Sequence, residues 1–586
     1  MHPVVSMSVL PVALLLLVSL LPPPSAALYP LPPQNAASYI AAGSNASLLN
    51  ALCSPSCVVP LDSSLLPPPS LVPGSNIVGV DVTAALTAAV ANASSLYKQH
   101  GAPCVVLLSS DSVAPIEPYF ITSTISVSSG VVVSGALNVS FPRSTVLVPG
   151  AAKFTAFSFS GSPSVAASAT GIYGVTGSTV NVNTQLLSAA SSLLSSGKRA
   201  FLSAFMANDH QLLVELEPIY SHEQNGWDPS WAANSRGHLI QIVSADAASS
   251  SLQLRTAIPM VLQNATLQVL DGSSFVTDSG IAYVTLQRLA LPAGWVEEVK
   301  KQQEGSDGMQ SIVDIIVTNY AAELLFHALE ITGMTRSGVW ISTSAHVTVS
   351  SCYMHDPQLW FDTGSGQGYG VVVGQWATAC LVEDNSFAKM RHSMMVKQGA
   401  NTNVLGYNWS DDVYGENCFK GICVPFPSVD LDAHGHWGHH NLFEGNIVYR
   451  IAAADWWGPC PNNVYFKNMA TAEGIELNYA SDQTLLLDNA LAEYRANNNC
   501  AQNLTCIGNF VCKTTPCDIT QQPATPLHSS DADTQCARQN KDDPAEPRPR
   551  SYYLSSARDT CNACFDAPSL NRRNIGIVCP MPLSIQ

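Results

Sequence analysis

LVEDNSFAKMRHSMMVKQGANTNVLGYNWS, residues 381–410, holds two copies of one short pattern, an apolar residue three positions before an asparagine: Val382 before Asn385 and Leu405 before Asn408. Between the asparagines stand short strand-like runs and nothing that reads as a helix. Val349-Ser-Ser-Cys352, Phe443-Glu-Gly-Asn446, Tyr465-Phe-Lys-Asn468 and Leu486-Leu-Asp-Asn489 repeat the pattern, and Leu329 to Thr332 gives a weaker, earlier copy. From Cys352 onward successive copies lie 33, 23, 38, 22 and 21 residues apart. That is a turn slightly longer than twenty residues with two insertions, and a period of that size marks a solenoid.

Short Val- and Ile-rich strands with no room for helices between them predict an all-β parallel β-helix over residues 311–495. Asparagine at a fixed turn has a physical reason. Its side-chain amide can bond the equivalent group on the coils above and below, and it tolerates tight-turn dihedrals. A leucine-rich repeat would need the denser Leu-x-x-Leu-x-Leu spacing, which is absent.

Outward from these coils the chain changes character several times. Residues 1–27 read as a signal peptide: an apolar run from Val9 to Leu21, then Pro22-Pro23-Pro24 and the small residues Ser25-Ala26-Ala27. That run is short of the roughly 20 apolar residues a membrane span needs. Residues 28–77 form a Pro/Ser/Ala-rich lead-in, where Cys53 and Cys57 are expected to close a small loop. In 78–184, "DVTAALTAAV" has helical spacing, with Asp81 or Thr83 placed to cap it, and Gly101-Ala-Pro103 stops the helix before a buried strand at Val105 to Leu108. Residues 185–310 read as a β-rich insertion, whose last stretch, Trp295 to Gly308, is most simply a solvated loop or short helix. Residues 496–586 form a Cys-rich tail, expected to be held by disulfides and to cap the last coil.

Sixteen cysteines, eight of them from Cys500 onward, suit an oxidising compartment, and Cys561-Asn-Ala-Cys564 has no second pair at zinc spacing. Six sequons, at Asn45, Asn92, Asn138, Asn264, Asn408 and Asn503, agree with a secreted or wall-associated protein. The formal charge of −17, with no lysine or arginine cluster, argues against a nucleic-acid partner. A polyanionic substrate would need a local base or a bound cation. A monomer is expected.

With "DVTAALTAAV" before a buried strand, "SSGVVVSGA" and the coil series in view, the chain resembles the pectin-lyase-like family of right-handed parallel β-helices. The resemblance covers about half the chain. It implies a polysaccharide partner lying along one long parallel sheet, with reactive groups projecting from successive coils.

The sequence supplies such a row in the strands that follow the asparagines: "HSMMVKQ" (392–398), "SVDLDAHGH" (428–436) and "GIELNY" (474–479). Alternation turns Met394, Val396, Val429, Leu431, Ile475 and Leu477 inward and Lys397, Asp430, Asp432, Glu476 and Asn478 outward. Asp430, Asp432, His434 and His436 then share one side of a strand. Arg391 and His392 enter the neighbouring strand, and Trp437, Trp456 and Trp457 offer faces for sugar stacking.

Three chemistries fit these residues. In a lyase acting on a uronate, Lys397 or His434 would be the base, Arg391 would neutralise the carboxylate, and Asp430 with Asp432 could hold Ca²⁺. In a hydrolase, Asp430 and Asp432, or one of them with Asp455 or Glu476, would form the acid and base pair. In a zinc site, Asp432, His434 and His436 would be ligands, joined by His439 or His440. The rival to all three is a non-catalytic wall or matrix glycan-binding protein, whose cleft would keep the tryptophans while its carboxylates and Lys397 have no convergent geometry.

Overall fold

The computed structural model describes residues 55–496 apart from single positions and the stretches 109–117, 136–143, 207–233, 454–459 and 478–483, together with Ala42, Leu48, Leu52 and three short strands beyond residue 504. The chain winds as a solenoid of three parallel sheets. One coil runs through Leu381–Glu383 in the first sheet, Ser386–Ala388 in the second and His392–Val396 in the third, and regains the first at Val404–Gly406. Each strand pairs in parallel with its counterpart one coil on. Among the described residues the first sheet contains twelve strands, from Val58–Pro60 to Thr505–Ile507.

The apolar residues of the sequence repeat are in register. Val349, Val382, Leu405, Phe443, Tyr465 and Leu486 stack directly on one another down the first sheet, and all are fully buried. The rings of Phe443 and Tyr465 lie parallel with centroids 4.6 Å apart. Burying each such side chain is worth about 1.5–3 kcal/mol. Three positions on, the amides form a continuous ladder. Asn408 Nδ2 donates to Asn446 Oδ1 at 3.0 Å and to Val382 O at 3.0 Å, while Asn408 N donates to the same Asn446 oxygen at 3.1 Å. Asn385, Asn446, Asn468 and Asn489 continue it, and Cys352 N ends it on Asn385 Oδ1.

A second ladder, which the repeat as read above does not anticipate, runs five residues earlier through Asn403, Asn441 and Asn463 and ends on Cys380 N. Both ladders thus end on a buried thiol, which needs little hydrogen bonding of its own.

Asn446 offers a direct test. Replacing it with alanine strips Asn408 of an acceptor for two donors, removes the side-chain donor to Leu405 O and leaves Asn468 Oδ1 with only the backbone N–H of residue 446, all in the buried interior. Leaving such groups unpaired should cost about 3–5 kcal/mol. Urea unfolding of Asn446→Ala against the wild type measures it, and a loss below about 1 kcal/mol would show that the ladder carries no stability.

Several expectations are corrected. Asn408 lies in the ladder with no exposed surface and is closed to glycosylation, whereas Asn92 is exposed on the helix Thr83–His100 and Asn264 is half-buried in a hairpin turn at φ 50°. Asn45, Asn138 and Asn503 lie outside the described residues, as do residues 1–27. Cys57 pairs with Cys104, fastening the lead-in to the first buried strand, and does not close a loop with Cys53. The lead-in supplies the strand Val58–Pro60, and Leu48 and Leu52 pack on the outside of the first sheet. Cys418–Cys423 is a second disulfide, and both suit an oxidising compartment. Thr505–Ile507 adds a strand to the first sheet, while Thr525–Pro526 turns antiparallel against Phe510–Val511. The pairing of the tail cysteines lies outside the described residues. Among those residues no helix is long and apolar enough to cross a membrane.

The insertion runs from Val165 to Asp271, not from 185 to 310, because Val276–Ala282 and Val284–Arg288 are coil strands. It is a six-stranded antiparallel sheet. Alternation divides its strand Ala200–Met206 cleanly: Ala200, Leu202 and Ala204 face the core shared with the helix Thr184–Ser195, while Phe201 turns to Phe275 and to Ala322 and Ala345 of the solenoid.

Candidate active site on the third sheet

Outward positions of the third sheet form one row in register: Trp340, Val372, Met395, Asp432, Ala452 and Glu476. Their strand neighbours Val339, Val371, Met394, Val396, Leu431, Ala433 and Ile475 all lie in the core, as alternation requires. The row is not an open strip of water-facing side chains. Asp432 is only 2% exposed, and Met395 packs with Tyr369, Val372 and Trp340.

Arg391 is buried at the edge of this row. Its Nη2 donates to Asp362 Oδ2 at 2.7 Å and its Nη1 to the Tyr369 hydroxyl at 2.9 Å. Burial works against the charge, but Tyr369 and Asp362 outweigh it and hold the guanidinium above its ordinary value. Asp362 sits on a small three-stranded sheet, Phe361–Asp362, Glu416–Phe419 and Ile422–Pro425, which flanks this end of the row. His392 Nδ1 donates to Val429 O at 2.8 Å, and burial with the Arg391 cation pushes the ring well below its ordinary pKa. The imidazole is therefore neutral, with Nδ1 3.8 Å from Asp432 Oδ2.

Burial raises the Asp432 carboxyl to about 7, against the pull of Arg391, Arg450 and Lys397. Its Oδ1 is buried and has no hydrogen-bond partner among the described residues. Lys397 follows the neighbouring strand His392–Val396 and reaches back over two coils, its Nζ 5.1 Å from the Trp340 ring centroid. Burial of the ammonium, reinforced by Arg336, lowers it to about 8, while Asp432, Asp314 and Asp362 oppose the shift. Arg336 lies over the same indole, Cζ 4.3 Å from the centroid, and ion-pairs with Asp314 at 3.6 Å.

Other expected members go elsewhere. Asp430 does not line up with Asp432. It sits just before the strand, where its carboxylate turns into the corner between the second and third sheets and accepts from the Ser410 hydroxyl and, at 2.9 Å each, from Tyr449 N and Arg450 N. Those three donors make it a corner brace, although burial still raises it to about 7. With Asp430 so occupied and Asp432 facing three cations, the pair does not fit Ca²⁺, which needs several free oxygens and carries charge of the same sign as the groups already there. Glu476 is half-buried and ion-paired with Arg450. His434 is half-buried, its ring 6.5 Å from that of His392.

Trp437 has one face of its ring closed to a sugar, because Arg236 of the insertion lies over it at 3.5 Å. His439 and His440 belong to a buried cluster with His238, at the turn leading into the first sheet, so the zinc set is split between two places. Among the described residues the one group of three or more side chains at metal-holding distances is Glu416, Cys418 and Cys423, whose cysteines are disulfide-bonded. His436, Asp455, Trp456, Trp457 and Asn478 lie outside the described residues.

The sequence reading missed Trp340, Arg336, Tyr369 and Asp362. Trp340 had a usable signal: in "SGVWIS" it alternates between Val339 and Ile341 just as Met395 alternates between Met394 and Val396.

No protein-family model matches the chain, and no curated protein matches it in sequence. Among solved structures it is similar to the tailspike protein gp49 of Pseudomonas phage LKA1 (11% identity, TM-score 0.39, 70% of this chain and 56% of that one) and to ORF18 of Geobacillus virus E2 (11%, 0.36, 78% and 61%). It is also similar to the A-module of the mannuronan C-5 epimerase AlgE4 of Azotobacter vinelandii (9%, 0.29, 75% and 89%). The chain thus spans less than two thirds of the first two. Three parallel sheets, stacked coils and paired amide ladders make this chain a right-handed parallel β-helix, the fold of the pectin-lyase-like family that its repeat resembles.

Proposed function

We propose that the outer face of the third sheet binds an acidic polysaccharide and cleaves it by β-elimination, in a secreted protein. The observation that carries this reading is the placement of Arg336 and Lys397 on one half-buried indole, Trp340, three strands along the row from the buried Asp432. A sugar can meet the exposed edge of the indole while its carboxylate meets the two cations over the ring.

Lys397 then serves as the base. Its neutral amine takes the proton from the carbon α to the uronate carboxylate, the electron pair forms a carbon–carbon double bond, and the glycosidic oxygen at the β carbon departs and takes up a proton. Arg336, with its side chain 37% exposed, is better placed than the buried Arg391 to neutralise the charge that builds on the carboxylate. Asp432 and Arg391 act as positioning residues, since neither offers enough surface to touch a polymer. An inverting or retaining carboxylate pair is less well supported, because Asp430 is committed to the corner.

Burial of Asp432 favours a second reading, in which the same charges bind glycan without cutting it. Incubation with a panel of uronate and neutral polysaccharides separates the two. Elimination predicts ultraviolet absorbance from unsaturated ends rising in step with reducing ends on a uronate polymer alone. Reducing ends without that absorbance would mean hydrolysis, and binding with neither would mean a glycan-binding protein.

A further inference from the structure

We infer that Tyr414 is the platform of a second sugar subsite, extending the acidic-glycan site past Arg391; this rests on the reading above. Tyr414 stands out as an aromatic side chain that is 47% exposed yet held from several sides. Its ring leans on Trp360 with centroids 4.9 Å apart, and its hydroxyl donates to Glu416 Oε1 at 3.0 Å. Tyr414 N donates to Met390 O at 3.4 Å, and the next residue, Gly415, is pressed so closely on the neighbouring coil that a Cβ there would stand 2.0 Å from Ser428 Oγ and 3.5 Å from Arg391 Cγ. The ring is therefore fixed to the same backbone that carries Arg391.

What lies behind it is rigid as well. The hairpin that follows, Glu416–Phe419 with Ile422–Pro425, is cross-linked by Cys418–Cys423 and pairs with Phe361–Asp362. The short helix Trp295–Lys300, expected from sequence to be a solvated segment, packs Val299 against Leu359, Phe361 and Cys418 and places Lys300 Nζ 5.6 Å from the Trp360 centroid. A flat ring held still at the surface loses little conformational freedom when a pyranose stacks on it, which is how aromatic side chains gain affinity for sugars. Continuity decides the occupant. Asp362, on the same small sheet as the hairpin, is the carboxylate that holds Arg391, so a chain crossing Trp340 and Lys397 would meet Tyr414 a few sugar rings further on.

The test measures affinity for uronate oligosaccharides of increasing length, using the intact protein and the variants Tyr414→Ala and Tyr414→Phe. The side chain is surface-exposed, so neither substitution should disturb the fold. In the wild type, affinity should climb with length. Tyr414→Ala should bind short oligomers unchanged and bind long ones about tenfold more weakly. Tyr414→Phe, which keeps the ring and loses the hydroxyl, should match the wild type. Long oligomers bound equally well by Tyr414→Ala would overturn the subsite and leave the main site standing. A wild type that binds no uronate oligomer of any length would overturn both.

Discussion

Below about pH 6 the six-stranded insertion should come away from the solenoid while the coils persist. The joint between them holds three buried imidazoles. His238, on the insertion strand Gly237–Asp246, places Nδ1 2.9 Å from Asn401 Oδ1 of the solenoid, and its Nε2 has no partner among the described residues. Its ring lies 5.2 Å from that of His439, whose Nδ1 is 2.8 Å from His440 Nδ1. Burial holds all three below the ordinary histidine value, His238 to about 4, His440 to about 3 and His439 well below it; neighbouring histidines add repulsion at His439 and His440, and Arg236 adds it at His439.

The sign follows from proton counting. Once detached and hydrated, each ring titrates near 6.5, so between that value and its folded value the detached state binds more protons. Docking is at full strength above about 6.5 and weakens as pH falls towards the folded values, by about 2 kcal/mol per histidine at pH 5. Arg255–Glu323 and Arg199–Asp278 also tie the insertion down, and they do not offset a loss of that size. Asp430 and Asp432, whose folded values are raised, act in the opposite direction: they gain stability as pH falls from about 7 towards 3.8. They belong to the third sheet and would mask the effect in a global melting curve. Amide exchange of Gly237–Asp246 is the suitable probe. Protection there should drop between pH 7.5 and 5 in the wild type and drop less in His238→Gln, which removes one of the three titrating rings. Protection unchanged over that range would show that the joint does not depend on neutral imidazoles.

The same joint shows why some of the site was legible in the sequence and some was not. The coil was legible because one stereochemical demand, an amide at a fixed turn, recurs at every copy from Asn385 to Asn489, and the apolar residue three positions earlier must fill the same slot in the core each time. The second ladder was equally present, since Asn403, Asn441 and Asn463 each precede a member of the first by five residues, but a single aligned column hides its neighbour. Alternation correctly turned Asp432 outward, and it failed for Asp430 because the next coil shifts register between Val448 and Arg450 and offers two backbone donors at that corner. Period-two patterns carry no record of a corner. Trp437 was misread for a different reason: the cation on its face comes from Arg236, some two hundred residues earlier. The insertion boundary slipped because coil strands such as Val276–Ala282 have the same composition as the strands beside them.

The central claim concerns Lys397. Lys397→Met keeps the aliphatic stem that crosses Val372 and Met395 towards Trp340 and removes only the ammonium, so the fold and the apolar contact should survive. On a uronate polymer, wild-type elimination should rise with pH through about 8, as the amine loses its proton and becomes a base. The variant should lose about 10³-fold in kcat, with KM changed far less, because the group acts on the reacting proton. Asp432→Asn should shift the wild-type pH profile, since it removes a carboxylate that holds the Lys397 proton in place. The decisive measurement is the rate of unsaturated-product formation by wild type and Lys397→Met across pH 6 to 10: an ascending limb near pH 8 that vanishes in the variant is the predicted result, and equal rates in the two proteins would contradict the assignment of the third sheet's outer face as the reactive one.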